Sequence, residues 1–593
     1  MSDVVDDPIV ARSLLHSCYV EDVGGNTDAI VVSEIIETQS GIIRPNLAVY
    51  KSPQTKFWVT KPTARSHTDK KEFEKLELLD EFKVPYRDRD KYMHEALNGR
   101  FPRFLNYDMK RELQQSPYLY GGNITIEART MIKYKQDLEN SPRKGVPHAP
   151  TTGFFDIERS LLPDSFGDLP LMVFTAENKV FLTMKKMFMT EVRDGVRVSV
   201  SVDEIRQAAH DIIDPLVASI FAENEDLKDY RDRLPFEYHF HVGETEAEMI
   251  EWIFGKMHET EVSFIGIWNL GFDIPEIIAA LEKAKIPLEN VFSHPKFRGT
   301  GFAYASYRED PRKVAHITQK WHWMSATAHF QFVDSMSLYS YIRVVDGKEA
   351  SYALDDILAK FGLGGKLKIE KTKELEGLQQ ADWHRAMLSK FFVSYALYAM
   401  WDGMGLQLLE WRNNDLTSMM TLGDITPAKF FVNQTIRVTN TLFDEHLKQG
   451  WVLGTGVDVE GMADEDLLTE GGAVLEPQDL IARGLKPFIE WPNHATHAYA
   501  WINDVDFSAQ YPTNTSVLNI SKQTKVATML NITGAGVGSR YKPKEAVEVL
   551  CSYLITPETS GYDLGVEFFN LPNYDEIDAL FEEHLATEQL LVA

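Results

Sequence analysis

The chain has 593 residues, a length that excludes a single core and, at roughly 150 residues per domain, implies three or four domains. Hydrophobic residues make up 44% and charged residues 25%, ordinary proportions for a globular protein, which excludes general disorder. A net charge of −27 excludes coating of nucleic acid by bulk electrostatics, although a local basic groove stays compatible with it.

The first 150 residues carry short β-type runs ("AIVVSEII", "LAVYKS", "FWVTK") and the charged stretch "DKKEFEKLELLDEF", which reads as helical. A Pro-rich linker, "NSPRKGVPHAPTTG", sets a boundary near Thr151, so 1–150 is expected to be an α+β N-terminal domain. The β-like "FFDIER", "LMVFTAENKVFLTMKK" and "VRVSVSV" follow, then a helix through "GETEAEMIEWIFGKMHE" with Met249, Ile250, Ile253 and Phe254 at helical spacing. The strand "VSFIGIW", the helix "IPEIIAALEKA" and helical runs from Leu375 to Arg412 complete an α/β domain over 151–412. Residues 413–477 read as a helical and then Gly-rich connector packing with the N-terminal domain, and the strand "AYAWINDVDF" belongs to a last domain over 478–593.

The two cysteines, Cys18 and Cys551, offer neither a disulfide framework nor a zinc cluster. With no leader pattern and no apolar stretch of about eighteen residues, a cytoplasmic protein without a membrane span is expected.

Three segments place carboxylates where chemistry can use them. In "GFFDIERS", Asp156 and Glu158 stand two apart on a strand, so both face one side roughly 7 Å apart; the plainer reading is an exposed acidic strand. The apolar "GFF" before them implies burial, and buried carboxylates require cations. In "FIGIWNLGFDIPEI", Asp273 sits at a strand-to-helix corner with Pro275 suited to the first helical turn, and the plainer reading is a helix cap. In "FFVSYALYAMWDGMGLQLLEW", Tyr398 and Asp402 share a helical face, where the tyrosine alone reads as core packing.

The order D-x-E, N-x-x-F-D, Y-x-x-x-D resembles the three exonuclease motifs of family B DNA polymerases, the DEDD type with a tyrosine. The resemblance implies a ribonuclease H-like 3′→5′ exonuclease domain in which Asp156, Glu158, Asp273 and Asp402 hold two Mg²⁺ ions, with Mn²⁺ as the alternative. It further implies that Tyr398 orients the attacking water and that Asn269 and Phe272 contact the frayed single-stranded 3′ end. Tyr352 and Asp356 offer the same spacing as Tyr398 and Asp402. Their segment, with "FQFVDSMSLYSYIR", instead resembles the strand and helix that precede the third motif, which gives Asp334 a structural part.

Further on, "INDVDFSAQYPTNT" resembles motif A of the family's polymerase palm, matching at Asp506, Phe507, Tyr511 and Pro512 but with Ala509 and Gln510 in place of Ser-Leu. That implies a catalytic metal ligand at Asp506, rather than Asp504, and a sugar-facing ring at Tyr511. "SVLNISKQT" resembles the following segment in large tailed-phage polymerases, and "TEGGAVLEP" the Y-x-G-G/A linker, with Thr469 replacing its aromatic residue. Neither K-x-x-x-N-S-x-Y-G nor D-T-D-S follows.

The expectation is therefore the N-terminal part of a family B replicative DNA polymerase of a large tailed phage, with a complete proofreading exonuclease and a partial palm completed by a separate C-terminal chain. Primer–template DNA, single-stranded 3′ ends, dNTP together with the complementing chain, and a sliding clamp are the partners this implies, in host cytoplasm if the source is viral. An independent exonuclease with a vestigial palm and a non-catalytic replication scaffold are the alternatives. The glycine-rich "GAGVGS" and "GLGGKLKIEKTK" fit no phosphate-loop spacing, and the strand histidines His239 and His241 read as ordinary satisfied side chains.

Overall fold

The computed structural model describes residues 8–455, apart from 23–26, 66, 68–70, 141–150, 313–314, 345–346, 365–366, 368–374, 376 and 379, together with three short strand pairs between 489 and 560. Two compact units divide the chain, Met1–Val459 and Glu460–Ala593. Asp504, Asp506, Tyr511 and the rest of motif A lie outside the described residues, as does the glycine-rich "GAGVGS" segment.

The first unit begins with an antiparallel sheet of Ile9–Val20, Ala29–Thr38 and Ile43–Lys51. A second sheet centres on Gln54–Thr60, with Leu79–Pro85 and Leu119–Tyr120 on either side. The stretch "DKKEFEKLELLDEF" is not helical as its charge pattern predicts. It forms a strand at Phe73–Lys75, a single 3₁₀ turn and the strand Leu79–Pro85, whose residues pair one for one with Gln54–Thr60. Cross-strand pairing and burial of Leu79 and Val84 override local helix propensity. Trp451–Leu453 pairs with Phe73–Lys75, which ties residues from the predicted connector to this region.

The centre of the unit is a six-stranded sheet, here numbered β1 (Thr152–Glu158), β2 (Leu171–Ala176), β3 (Lys179–Lys185), β4 (Glu237–Gly243), β5 (Phe264–Ile267) and β6 (Gln331–Asp334). Its order is β4-β3-β2-β1-β5-β6. The pairs β1/β2 and β2/β3 are antiparallel, while β3/β4, β1/β5 and β5/β6 are parallel. The helices that serve the site are α1 (Glu246–Thr260), α2 (Leu270–Ala284), α3 (Ser335–Ile342), α4 (Leu354–Lys360), α5 (Gln380–Lys390) and α6 (Phe392–Asn413).

Side-chain alternation along β1 divides the core. Phe155 and Ile157 pack with Ile250, Ile253 and Phe254 of α1 and Ile274 and Ile277 of α2. Phe154 joins the opposite layer with Tyr395, Ala396, Ala399 and Met400 of α6. The period of two then delivers Asp156 and Glu158 to the α6 face. Close approach of α6 is possible because residue 403 is glycine: a Cβ there would lie 3.2 Å from a methyl of Val173, and the Gly403 carbonyl accepts from the Thr175 hydroxyl at 3.2 Å.

Candidate metal centre

Carboxylate oxygens of Asp156, Glu158 and Asp402 lie within 4.8 Å of one another, bringing together two residues of β1 and one of α6 that are far apart in sequence. Asp273, buried at 3% exposure, stands beside them in the first turn of α2, where its Oδ1 accepts from the Ile157 amide at 3.3 Å. It therefore borders the three-carboxylate group through the β1 backbone. The helix begins earlier than the sequence suggests, with Asn269 as the residue before its first turn and Pro275 inside it. This start is held by Asp334: its Oδ2 accepts from the Leu270 amide at 3.2 Å, and its Oδ1 caps α3 by accepting from the Ser337 amide at 2.8 Å.

Burial pushes Asp156 well above the usual carboxylate range, and the neighbouring charges of Asp273, Asp402 and Glu158 push it further in the same direction. Asp273 is raised chiefly by burial, with Asp334 and Glu158 adding to the effect and its backbone hydrogen bonds opposing it. Asp334 is pushed up to about 7 by burial against the pull of its donors. A group of carboxylates that repel one another in a dry setting is stabilised by a cation, and its all-oxygen donor set suits a hard divalent ion. The residues present thus fit a metal ion: Asp156, Glu158 and Asp402 are placed to hold it.

Tyr398 is half-buried over this group, and burial together with Asp402, Glu158, Asp156 and Asp355 of α4 keeps its phenol protonated well above the ordinary tyrosine range. Tyr352 lies elsewhere: its carbonyl accepts from Trp268 Nε1 at 3.0 Å and its hydroxyl from Ser340 Oγ at 3.3 Å. The acidic residue of this segment that acts on Tyr398 is Asp355. Of the expected strand-end contacts, Phe272 is exposed at 40% and Asn269 is half-buried, both at the start of α2.

Two residues not singled out from the sequence join the site. Tyr395 donates to Glu158 Oε2 at 2.6 Å, and His384 Nδ1 lies 3.0 Å from the Tyr395 hydroxyl and 3.6 Å from the same carboxylate oxygen. The spacing of Tyr395 three residues before Tyr398 places both rings on one face of α6, where they stack at 6.1 Å with an 11° interplanar angle. His384 has no such sequence signal. His239 and His241 take no part: they stack on Phe181 and Trp252, and His241 Nδ1 lies 2.9 Å from the Thr183 hydroxyl. Among the described residues no helix is long and apolar enough to cross a membrane. No protein-family model and no curated protein sequence matches the chain.

Proposed function

We propose that this chain carries a 3′→5′ exonuclease of the family B DNA polymerase type, hydrolysing the terminal phosphodiester of a single-stranded DNA end with Mg²⁺. The observation that carries this reading is the convergence of Asp156, Glu158 and Asp402, drawn from the first and third resembling motifs, with Tyr398 above them and Asp273 alongside. The sheet order, with the acidic strand β1 at its centre and α6 crossing it, is compatible with the ribonuclease H-like fold that the resemblance implies.

On this reading Asp156, Glu158 and Asp402 hold the metal, and Asp273 completes the acidic surround. Bound divalent ions supply a water of lowered pKa and neutralise charge on the phosphate and the leaving oxygen. The chain's own groups do the rest. The neutral Tyr398 phenol is available as a hydrogen-bond donor to the attacking water, and Tyr395 fixes one oxygen of Glu158. The exposed Phe272 ring, adjacent in sequence to Asp273, offers a base-stacking surface, which is tolerant of sequence. Reading 478–593 as part of a polymerase palm, with Asp506 and Tyr511 in the roles named above, rests on the sequence resemblance.

The test is degradation of a 5′-labelled single-stranded oligonucleotide by the full chain with Mg²⁺. Stepwise shortening from the 3′ end, abolished by EDTA and by Asp156→Ala, is expected. Intact substrate, or equal shortening by the variant, would overturn the assignment.

A further inference from the structure

Away from the acidic centre, a cleft of about 870 Å³ opens in the N-terminal region. It is lined by Arg12, Lys51, Lys83, Arg129 and Lys133 against one carboxylate, Asp137. That balance runs against the whole chain, in which 88 acidic residues outnumber 61 basic ones. The five cations come from three strands and a helix: Arg12 from Ile9–Val20, Lys51 from Ile43–Lys51, Lys83 from Leu79–Pro85 and, within Ile126–Glu139, Arg129 and Lys133 four residues apart on one face, while the uncharged Gln54 of Gln54–Thr60 completes the wall.

Arg12 is the one whose charge is met inside the protein, by the buried Glu34 at 2.5 Å. Among the described residues, Lys51, Lys83, Arg129 and Lys133 form no ion pair with a carboxylate, and the three lysines are exposed. Arg129 is more telling. Its Nη2 donates to the Gly121 carbonyl and its guanidinium lies 5.0 Å from the Phe443 ring, yet its Nε is buried without an acceptor. The charge of Arg89 acts on it in the same unfavourable sense as burial; Arg89 lies outside the cleft lining, pairs through Nε with Asp90 at 3.2 Å, and has a buried unpartnered nitrogen of its own, Nη1. Three exposed lysines without carboxylate partners among the described residues, with Arg129 beside them in the lining, gather like charge at the cleft and call for an anion with several acceptor oxygens.

The rest of the lining limits which anion. Tyr50 is exposed at 42% and is the cleft's accessible aromatic ring; its hydroxyl is 2.9 Å from that of the buried Tyr134. Ile9 and Val10 add exposed apolar surface beside it. A groove for a polynucleotide strand is expected to present a run of aromatic platforms along a basic track. One exposed ring in a bounded volume, within the range that holds a single small ligand, fits one base with its phosphates.

We infer that this cleft is a nucleotide site: it takes a nucleoside polyphosphate, the lysines and Arg129 meeting the phosphates and Tyr50 the base. The site is separate from the acidic centre and does not depend on the function proposed for it.

The experiment is equilibrium binding by the full chain in EDTA and low salt, which keeps metal from the acidic centre. Three probes are used: a fluorescent ATP analogue, inorganic tripolyphosphate, and a labelled oligothymidylate. Both small probes are expected to bind, the nucleotide more tightly, with affinity falling roughly tenfold or more in Lys83→Glu/Lys133→Glu, whose positions are solvent-exposed. Tyr50→Ala is expected to weaken the nucleotide and leave tripolyphosphate unchanged, and Asp156→Ala to leave both unchanged. Absence of nucleotide binding, equal binding by the charge-reversed variant with an unchanged circular dichroism spectrum, or binding of the oligonucleotide alone would each overturn the inference.

Discussion

The Tyr395 hydroxyl donates to Glu158 Oε2 at 2.6 Å, and the same hydroxyl lies 3.0 Å from His384 Nδ1. One oxygen of a candidate metal ligand is thereby fixed from α6 and α5 at once, without which the Glu158 side chain would sample several rotamers beside two other carboxylates. Outer hydrogen bonds of this kind typically contribute about 10–100-fold to metal affinity. Tyr395→Phe keeps the ring in its stack on Tyr398 and removes only the donor. We expect Mg²⁺ or Mn²⁺ affinity, measured calorimetrically, to fall within that range while the melting temperature in EDTA changes little. Unchanged metal affinity would remove Tyr395 from the site.

Asp156 concentrates the conflict between stability and function. Burial and three neighbouring carboxylates raise its pKa, so in the absence of metal its ionised form is destabilised by the fold. Asp156→Asn retains the shape and removes one charge from the cluster. The variant is expected to melt higher than the parent chain in EDTA at pH 8, by on the order of 1 kcal/mol or more, because sites built for function are commonly strained. Mg²⁺ should then stabilise the parent chain but hardly affect the variant. Thermal unfolding with and without metal checks both halves, and a variant that melts lower in EDTA would show that the carboxylate is structurally required.

How far the sequence leads can be read from these same residues. Period-two alternation places Asp156 and Glu158 on one face because Phe155 and Ile157 must fill the other layer, and helical spacing puts Tyr395, Tyr398 and Asp402 along one side of α6. Both facts are local. The start of α2 is not, since it depends on Asp334 reaching the Leu270 amide from a strand some sixty residues later in the chain. His384 is invisible for the same reason: only the packing of α5 against α6 brings it to Glu158. "DKKEFEKLELLDEF" misleads because its charges suit a solvated helix, whereas its strand partner Gln54–Thr60 supplies the deciding hydrogen bonds.

Four histidines meet where the first sheet reaches the central one. His16 Nε2 lies 2.6 Å from the His329 carbonyl, His329 packs edge-on against His294 at 5.1 Å, and His294 in turn against His258 at 5.6 Å. Burial lowers His16 and His258 to about 4 and His329 to about 3. An unfolded histidine titrates near 6.5, so below that pH the unfolded chain binds more protons than the folded one. Stability from these groups is present above about pH 6.5 and is lost as pH falls toward 4, at up to roughly 1.4 kcal/mol per pH unit for each group. Denaturant midpoints in EDTA should fall over that window, and His258→Gln should make the fall shallower. A midpoint that stays flat from pH 6.5 to 4.5 would contradict the buried neutral state.

Asp334 acts with the opposite sign. Burial raises it to about 7 from an unfolded value near 3.9, so between those values the folded chain holds the extra proton and stability declines as pH rises. Its two oxygens serve different amides, Leu270 and Ser337, and an asparagine can accept from one while turning its NH₂ toward the other. Asp334→Asn is therefore expected to cost about 1–3 kcal/mol at acid pH, the usual price of a buried donor left without its acceptor. The variant also loses the declining contribution, so across pH 4 to 7 its stability should climb more steeply than that of the parent chain, in which Asp334 partly cancels the histidines. Comparing the two pH profiles by urea denaturation in EDTA isolates the effect, because the histidine contribution is common to both. Parallel profiles would mean that Asp334 does not change protonation over this range, and that its hold on α2 and α3 is that of a carboxylate ionised throughout.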